Sequence, residues 1–203
     1  ALPIWEEDED GHDHSGHEGH DHGGYDPHYW LDMTNAAAMA SAIGDAMQRL
    51  DQEHARDYEV RTKDYAEQLL ELDKAFMDTV QNSPRKDIVF GGRFAYSYFI
   101  ARYGLSYASV YHSCSAETDP SVSDMIKVID YINEHHNPCI FYEELASGNV
   151  AKTIAGDVHI KTAVFSTGHN VTKSEFDSGT TFIDLMNRNL ELLQEALGSR
   201  NGV

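Results

Sequence analysis

Cationic side chains are scarce in this sequence: 15 Lys and Arg stand against 34 Asp and Glu, a formal charge of −19. Such a surface repels a phosphate backbone, which argues against nucleic acid as a partner. Long apolar runs are also missing. Spanning a bilayer takes about 18 or more consecutive apolar residues, and no such run occurs. Ala1–Trp5 has neither the basic nor the apolar region of a signal peptide. Only two cysteines are present, Cys114 and Cys139, too few for a disulfide scaffold, and they leave the redox compartment open. Familiar catalytic signatures are absent too: no nucleophile elbow, no phosphate-cradling glycine loop and no HExxH helix. Ser166 and His169 can be paired on paper, but the pair has no identifiable acid or oxyanion site.

What the chain does have is a hydrophobic content of 41%, enough for a core, and 12 histidines. Five of these, His12, His14, His17, His20 and His22, fall within the segment Glu6–His22, whose other residues are Asp, Glu, Gly and one Ser. With no apolar residue to bury, this segment reads as a mobile loop or tail. Neutral imidazoles suit Zn²⁺, Cu²⁺ and Ni²⁺, and the neighbouring carboxylates raise the local cation concentration. Alternations such as His12-Asp13-His14 predict weak, plural and poorly selective capture. The bland alternatives are a solvated acidic linker or a purification tag, although a tag is normally uninterrupted histidine.

Hydrophobic periodicity then predicts two helices. Met39, Ala42, Ile43, Ala46, Met47 and Leu50 recur at three- and four-residue intervals and make one apolar face. Asp51 is the expected N-cap of a longer helix over residues 52–81, with Tyr58, Tyr65, Leu69, Leu72, Phe76 and Val80 on one stripe. At about 1.5 Å per residue such a helix reaches roughly 40 Å, the length of a spine joining two lobes. From Asp87 onward short apolar runs alternate with helical stretches. The strands are expected at 88–90, 107–111, 139–142 and 162–165, and the helices at 94–103, 122–134, 149–155 and 180–197. That alternation predicts an α/β lobe whose four-stranded parallel sheet is flanked by helices.

Parallel sheets bind ligands beyond the carboxyl ends of their strands. The rule selects the loops Gly91–Arg93, His112–Glu117, Glu143–Glu144 and Ser166–Asn170, where polar and metal-capable residues concentrate. His169 follows the last strand, and its alternative reading is a turn or cap histidine. Glu117, Glu143 and Glu144 either ligate a metal or pair with Arg93. Cys114 is a candidate thiolate ligand or a small packed residue. His28, in Asp26-Pro27-His28-Tyr29-Trp30, sits on a segment stiffened by Pro27 and anchored by Trp30. Asn170-Val171-Thr172 is a formal glycosylation sequon.

Taken in order, these features resemble the zinc and manganese substrate-binding proteins of bacterial ABC importers. The resemblance is carried by the acidic His-rich loop and by Asp26-Pro27-His28-Tyr29-Trp30-Leu31-Asp32. It continues through the long helix, Ile88–Tyr96, Arg102–Leu105, Ser115–Ser121, Ile140–Glu143 and Asn189–Leu193, and so covers essentially the whole chain. It implies two lobes joined by a rigid helix, with the metal between them. On that pattern residues 1–24 are the metal-capturing loop, 25–50 a remnant of the first lobe, 51–82 the linking helix and 83–203 the second lobe. The chain looks like a member lacking most of its first lobe, together with the histidine ligand that the family places upstream of the loop.

The resemblance assigns a ligand role to His28. Where the family usually has its next histidine this sequence has Arg93, which stays protonated and cannot coordinate a metal. Where the family has a carboxylate after the last strand, His169 stands. The implied ligands are therefore His28 and His169, with Glu117 or Glu143 as additions, and Arg93 is left for an ion pair with a rim carboxylate. A histidine-dominated site implies Zn²⁺ ahead of Mn²⁺. The implied function is extracytoplasmic capture of zinc, at the periplasm or as a cell-surface lipoprotein, and its delivery to an ABC transporter permease rather than an enzymatic reaction. The competing readings are a metal-dependent α/β hydrolase using the same rim, and a passive buffer that binds only through the loop. Exposed apolar surface would also favour self-association.

Overall fold

The computed structural model describes residues 26–111 and 120–199. A single 3-10 turn, Tyr29–Leu31, leads into α1 (Met33–Leu50) and α2 (Ala55–Asn82). Then follow β1 (Asp87–Phe90), α3 (Ser97–Tyr103), β2 (Ser106–Ser109), α4 (Val122–His135), β3 (Cys139–Tyr142), α5 (Asn149–Val158) and β4 (Lys161–Val164). A short α6 (Lys173–Asp177) and α7 (Phe182–Leu197) complete the described order. No described helix is long and apolar enough to cross a membrane.

The four strands form one parallel sheet in the order β2-β1-β3-β4. This is the predicted α/β lobe, with each expected strand within two residues of its observed bounds. Alternation along the strands sends side chains to two cores. Ile88, Phe90, Cys139 and Phe141 face a large core shared with α2, α3 and α7. Val89 and Ile140 face a smaller one shared with α4 and α5. Around Phe90 the larger core is aromatic: Tyr96 stacks on it at 4.4 Å, and Phe141 and Phe165 close the group. Each large apolar side chain buried this way contributes roughly 1.5–3 kcal/mol.

α1 and α2 pack as a helical hairpin, with Gly44 of α1 set against Thr62 of α2. A Cβ there would lie 2.1 Å from the Thr62 hydroxyl, so a larger residue would force the helices apart. The apolar face expected on α1 is not the buried one: Met39 and Ala46 are half-buried, and Ala42, Ile43, Met47 and Leu50 are exposed. Met33, Ala36, Ala37 and Gly44 are buried against the hairpin and the core, whereas Ile43, Met47 and Leu50 face solvent. Periodicity found the helix but not its buried face, which runs through Met33, Ala36, Ala37 and Gly44.

Asp51 proves to be the C-cap residue of α1, and His54 the N-cap residue of α2. The Asp51 carboxylate still serves the junction, accepting from the His54 N–H, the His54 ring and the Tyr58 hydroxyl. α2 is tied to the sheet layer by buried Asp73, which accepts from Arg102 Nε at 2.9 Å and from the Tyr103 hydroxyl at 3.1 Å.

Candidate metal site

The chain leaves β1 for β2 on one side and returns through α4 to place β3 on the other side of β1. The loops after β1 and β3 therefore diverge and leave a crevice at the carboxyl end of the sheet, where open α/β folds take their ligands. A cavity of about 420 Å³ lies there, lined by Arg93, Glu143, Glu144, Thr167, His169 and Asn170, with His28 on its wall. Three of the four loops selected from sequence meet in it. The fourth, residues 112–117, lies outside the described residues, and with it Cys114 and Glu117. The five loop histidines, His12, His14, His17, His20 and His22, also lie outside them.

His28 and His169 are brought together from opposite ends of the sequence, their ring centroids 6.1 Å apart at 64°. Two imidazoles on one tetrahedral zinc have centroids roughly 5–5.5 Å apart, given Zn–N bonds of about 2.0–2.1 Å and the ring's own radius. The observed separation is thus within about 1 Å of a shared-ion geometry, a distance side-chain rotation can close. Trp30 packs edge-on against both rings, at 5.2 Å and 6.0 Å.

His28 is buried and its ring is fixed by Asp26. Nδ1 lies 2.8 Å from Asp26 Oδ1, and the same oxygen accepts the His28 backbone N–H at 2.9 Å. With the carboxylate ionised, Nδ1 carries the proton and Nε2 keeps its lone pair for a metal, the arrangement that orients and strengthens histidine ligands. Burial raises the Asp26 pKa, but hydrogen bonds from His28 and from the Ser97 N–H outweigh it and leave the carboxyl below its ordinary value. Sequence reasoning noticed the stiff segment and missed this partner, although the Asp-Pro-His spacing was the available signal.

His169 is exposed, on a loop anchored from several sides. The Tyr96 hydroxyl donates to the Phe165 carbonyl, the Asn189 amide pairs with both backbone groups of Ser166, and Trp30 Nε1 donates to the Thr167 carbonyl at 2.8 Å. Glu144 lines the cavity but does not pair with Arg93. Its Oε2 accepts the Thr167 N–H at 2.8 Å. Its Oε1 accepts the Thr167 hydroxyl at 2.5 Å and the N–H groups of Asn170 and His169 at 3.1 and 3.2 Å. Ser166 is likewise committed, its hydroxyl accepting the Gly168 N–H.

Glu143 lines the same cavity with a buried Oε2 that has no hydrogen-bond partner among the described residues. Burial raises its pKa, only partly offset by nearby backbone N–H groups and the Arg93 charge. The ion pair expected for Arg93 does not form with Glu143 or Glu144: among the described residues no carboxylate comes within 4.0 Å of it. No group of three or more His, Cys, Asp or Glu side chains among the described residues is close enough to hold one ion.

Comparison with known proteins agrees with this architecture. The chain is 33% identical over 171 residues to the high-affinity zinc uptake system protein ZnuA of Bacillus subtilis, covering 84% of this chain and 53% of that protein. It is 30% identical over 184 residues to the zinc-binding protein AdcA of Streptococcus pyogenes, covering 90% of this chain and 35% of that one. The crystal structure of the metal-dependent lipoprotein YcdH from Bacillus subtilis superposes with a TM-score of 0.74 at 31% identity, over 87% of this chain and 66% of that one. The chain thus spans about half the length of the Bacillus relative and about a third of the streptococcal one. The family described as zinc-uptake complex component A, periplasmic (ZnuA), matches residues 2–196. With that match over nearly its whole length, the chain belongs to the ZnuA family.

Proposed function

We propose that this chain is the metal-receiving lobe of an extracytoplasmic zinc receptor, and that the zinc held there is cargo for the membrane permease of an ABC transporter. The observation that carries the reading is the convergence of His28 and His169 on one cavity at the crossover of the sheet, with Nε2 of His28 freed by Asp26. Family membership and the zinc-binding descriptions of the relatives support the choice of cargo. A borderline ion suits an imidazole pair better than manganese, which prefers oxygen donors.

Two imidazoles fill half of a tetrahedral zinc sphere. The remaining donors come from Glu143 or Glu117, from the His-rich leader at residues 6–22, or from a first lobe facing this one. Glu143 is favoured among the described carboxylates because its Oε2 has no donor among the described residues. The leader raises the local zinc concentration and passes ions to the imidazole pair. Within the division proposed from sequence, residues 26–50 act with the lobe rather than apart from it, since Leu31, Met33, Ala36 and Ala37 share its larger core. The exposed stripe Ile43–Met47–Leu50 is the surface for a facing lobe or for a second copy.

Isothermal titration with zinc tests the reading. The chain should show a tight site and a weaker multiple class. Deleting residues 6–22 should remove the weaker class, and His28→Ala or His169→Ala should weaken the tight site by more than the roughly 10–100-fold cost of losing an outer-shell partner. A tight site indifferent to both alanine variants contradicts it.

A further inference from the structure

We infer that Glu144 is a positioning residue for metal capture: it touches no metal donor atom, but its carboxylate holds the backbone of His169 opposite His28. The inference rests on the zinc reading above and goes beyond it in assigning a control point on a different strand. The base of the last loop is fixed without Glu144, through Tyr96 at Phe165, Asn189 at Ser166 and Trp30 at Thr167. The tip is not. The His169 N–H has two acceptors, Glu144 Oε1 at 3.2 Å and the Thr167 hydroxyl at 3.2 Å, and that hydroxyl itself donates to Glu144 Oε1. The Asn170 N–H also goes to Oε1. Among the described residues, every hydrogen bond that fixes the backbone of His169 therefore leads back to one carboxylate at the end of β3.

The chemistry requires an ionised acceptor. Four donors converge on two oxygens, and only a carboxylate presents acceptors on both sides with no proton of its own. A glutamine keeping its oxygen toward Thr167 Oγ1, His169 and Asn170 would turn its NH₂ onto the Thr167 N–H, donor against donor. The tip would then tilt about Gly168, which has a φ of +68°. A small tilt matters because the two ring centroids already stand about 1 Å beyond shared-ion spacing.

The test is a double-mutant cycle on the full chain, reading affinity for the first equivalent of zinc and the visible d–d spectrum of the cobalt(II)-loaded protein. Circular dichroism checks that each variant is folded. Glu144→Gln is expected to lower affinity by about 10–100-fold and to move the cobalt spectrum toward that of His169→Ala. In the His169→Ala background Glu144→Gln should have no further effect. Thr167→Val, which changes no charge, should weaken binding in the same direction, and Thr167→Ser should restore it. Wild-type affinity in folded Glu144→Gln overturns the inference. So does an equal loss with and without His169, since that marks a long-range charge effect. If His28→Ala and His169→Ala both bind zinc as wild type does, the zinc reading itself fails, a result distinct from either.

Discussion

At the scale of single residues, the candidate site is a matter of how two imidazoles are held. His28 is gripped at the ring by a buried carboxylate, and His169 is gripped at the backbone by a loop. The difference predicts different sensitivities. Asp26→Leu keeps roughly the size of the side chain but removes the acceptor that fixes the His28 tautomer. Zinc affinity should fall by about 10–100-fold, with little change in the fold away from the turn. Competition against a chromophoric zinc chelator reads this directly, and an affinity equal to wild type would mean that His28 is not a ligand. Rim position and resemblance both pointed to His169, whereas His28 was singled out by the resemblance alone; the structure places both on one cavity. The supporting roles proposed for Asp26 and Glu144 were not legible, since a carboxylate that serves a ligand looks the same in sequence as one that is a ligand. Arg93 illustrates the same limit: opposite charges on one rim suggested a pair, yet the described carboxylates there are turned to Gly92 and to the last loop.

At the scale of elements, helices and strands were well marked where periodicity met a clear stop. β3 was found at its observed bounds because Pro138 precedes its apolar run and Glu143 ends it. α3 begins three residues later than expected because Phe94 and Tyr96 are apolar for the sake of the core, not of a helix. α6 escaped notice: its five residues bury nothing, and its strongest signal is the Thr172–Glu175 capping box. β3 also carries a pH-dependent contribution to stability. Burial, and secondarily the Glu195 charge, push the Cys139 thiol up to about 12. Its folded value lies above its unfolded one, so its contribution is complete below about pH 8.5 and is lost as pH rises toward 12. Between pH 9 and 11 the wild type should lose up to about 1.4 kcal/mol per pH unit more than Cys139→Ala. Urea unfolding of the two proteins across that range measures the difference, and parallel pH profiles would rule out the buried, neutral thiol.

For the whole molecule, the sheet order places the site. A chain that runs β1 to β2 and then crosses back to β3 opens a crevice between two loops, and the loop after β4 delivers His169 beside it. Hydrophobic alternation was enough to read the parallel lobe. The strand order and the meeting of residues 28 and 169 depend on tertiary packing that no local pattern encodes. The formal charge of −19 adds long-range attraction for divalent cations, so raising ionic strength should slow zinc capture more than it weakens zinc once bound. The central claim is that one zinc ion is held jointly by His28 and His169. A crystal of the full chain with one equivalent of zinc, measured on both sides of the zinc absorption edge, tests it most directly. The anomalous peak is predicted about 2.0–2.1 Å from Nε2 of His28 and from a ring nitrogen of His169. A peak surrounded only by histidines of residues 12–22, with the two rim imidazoles bare, would contradict it.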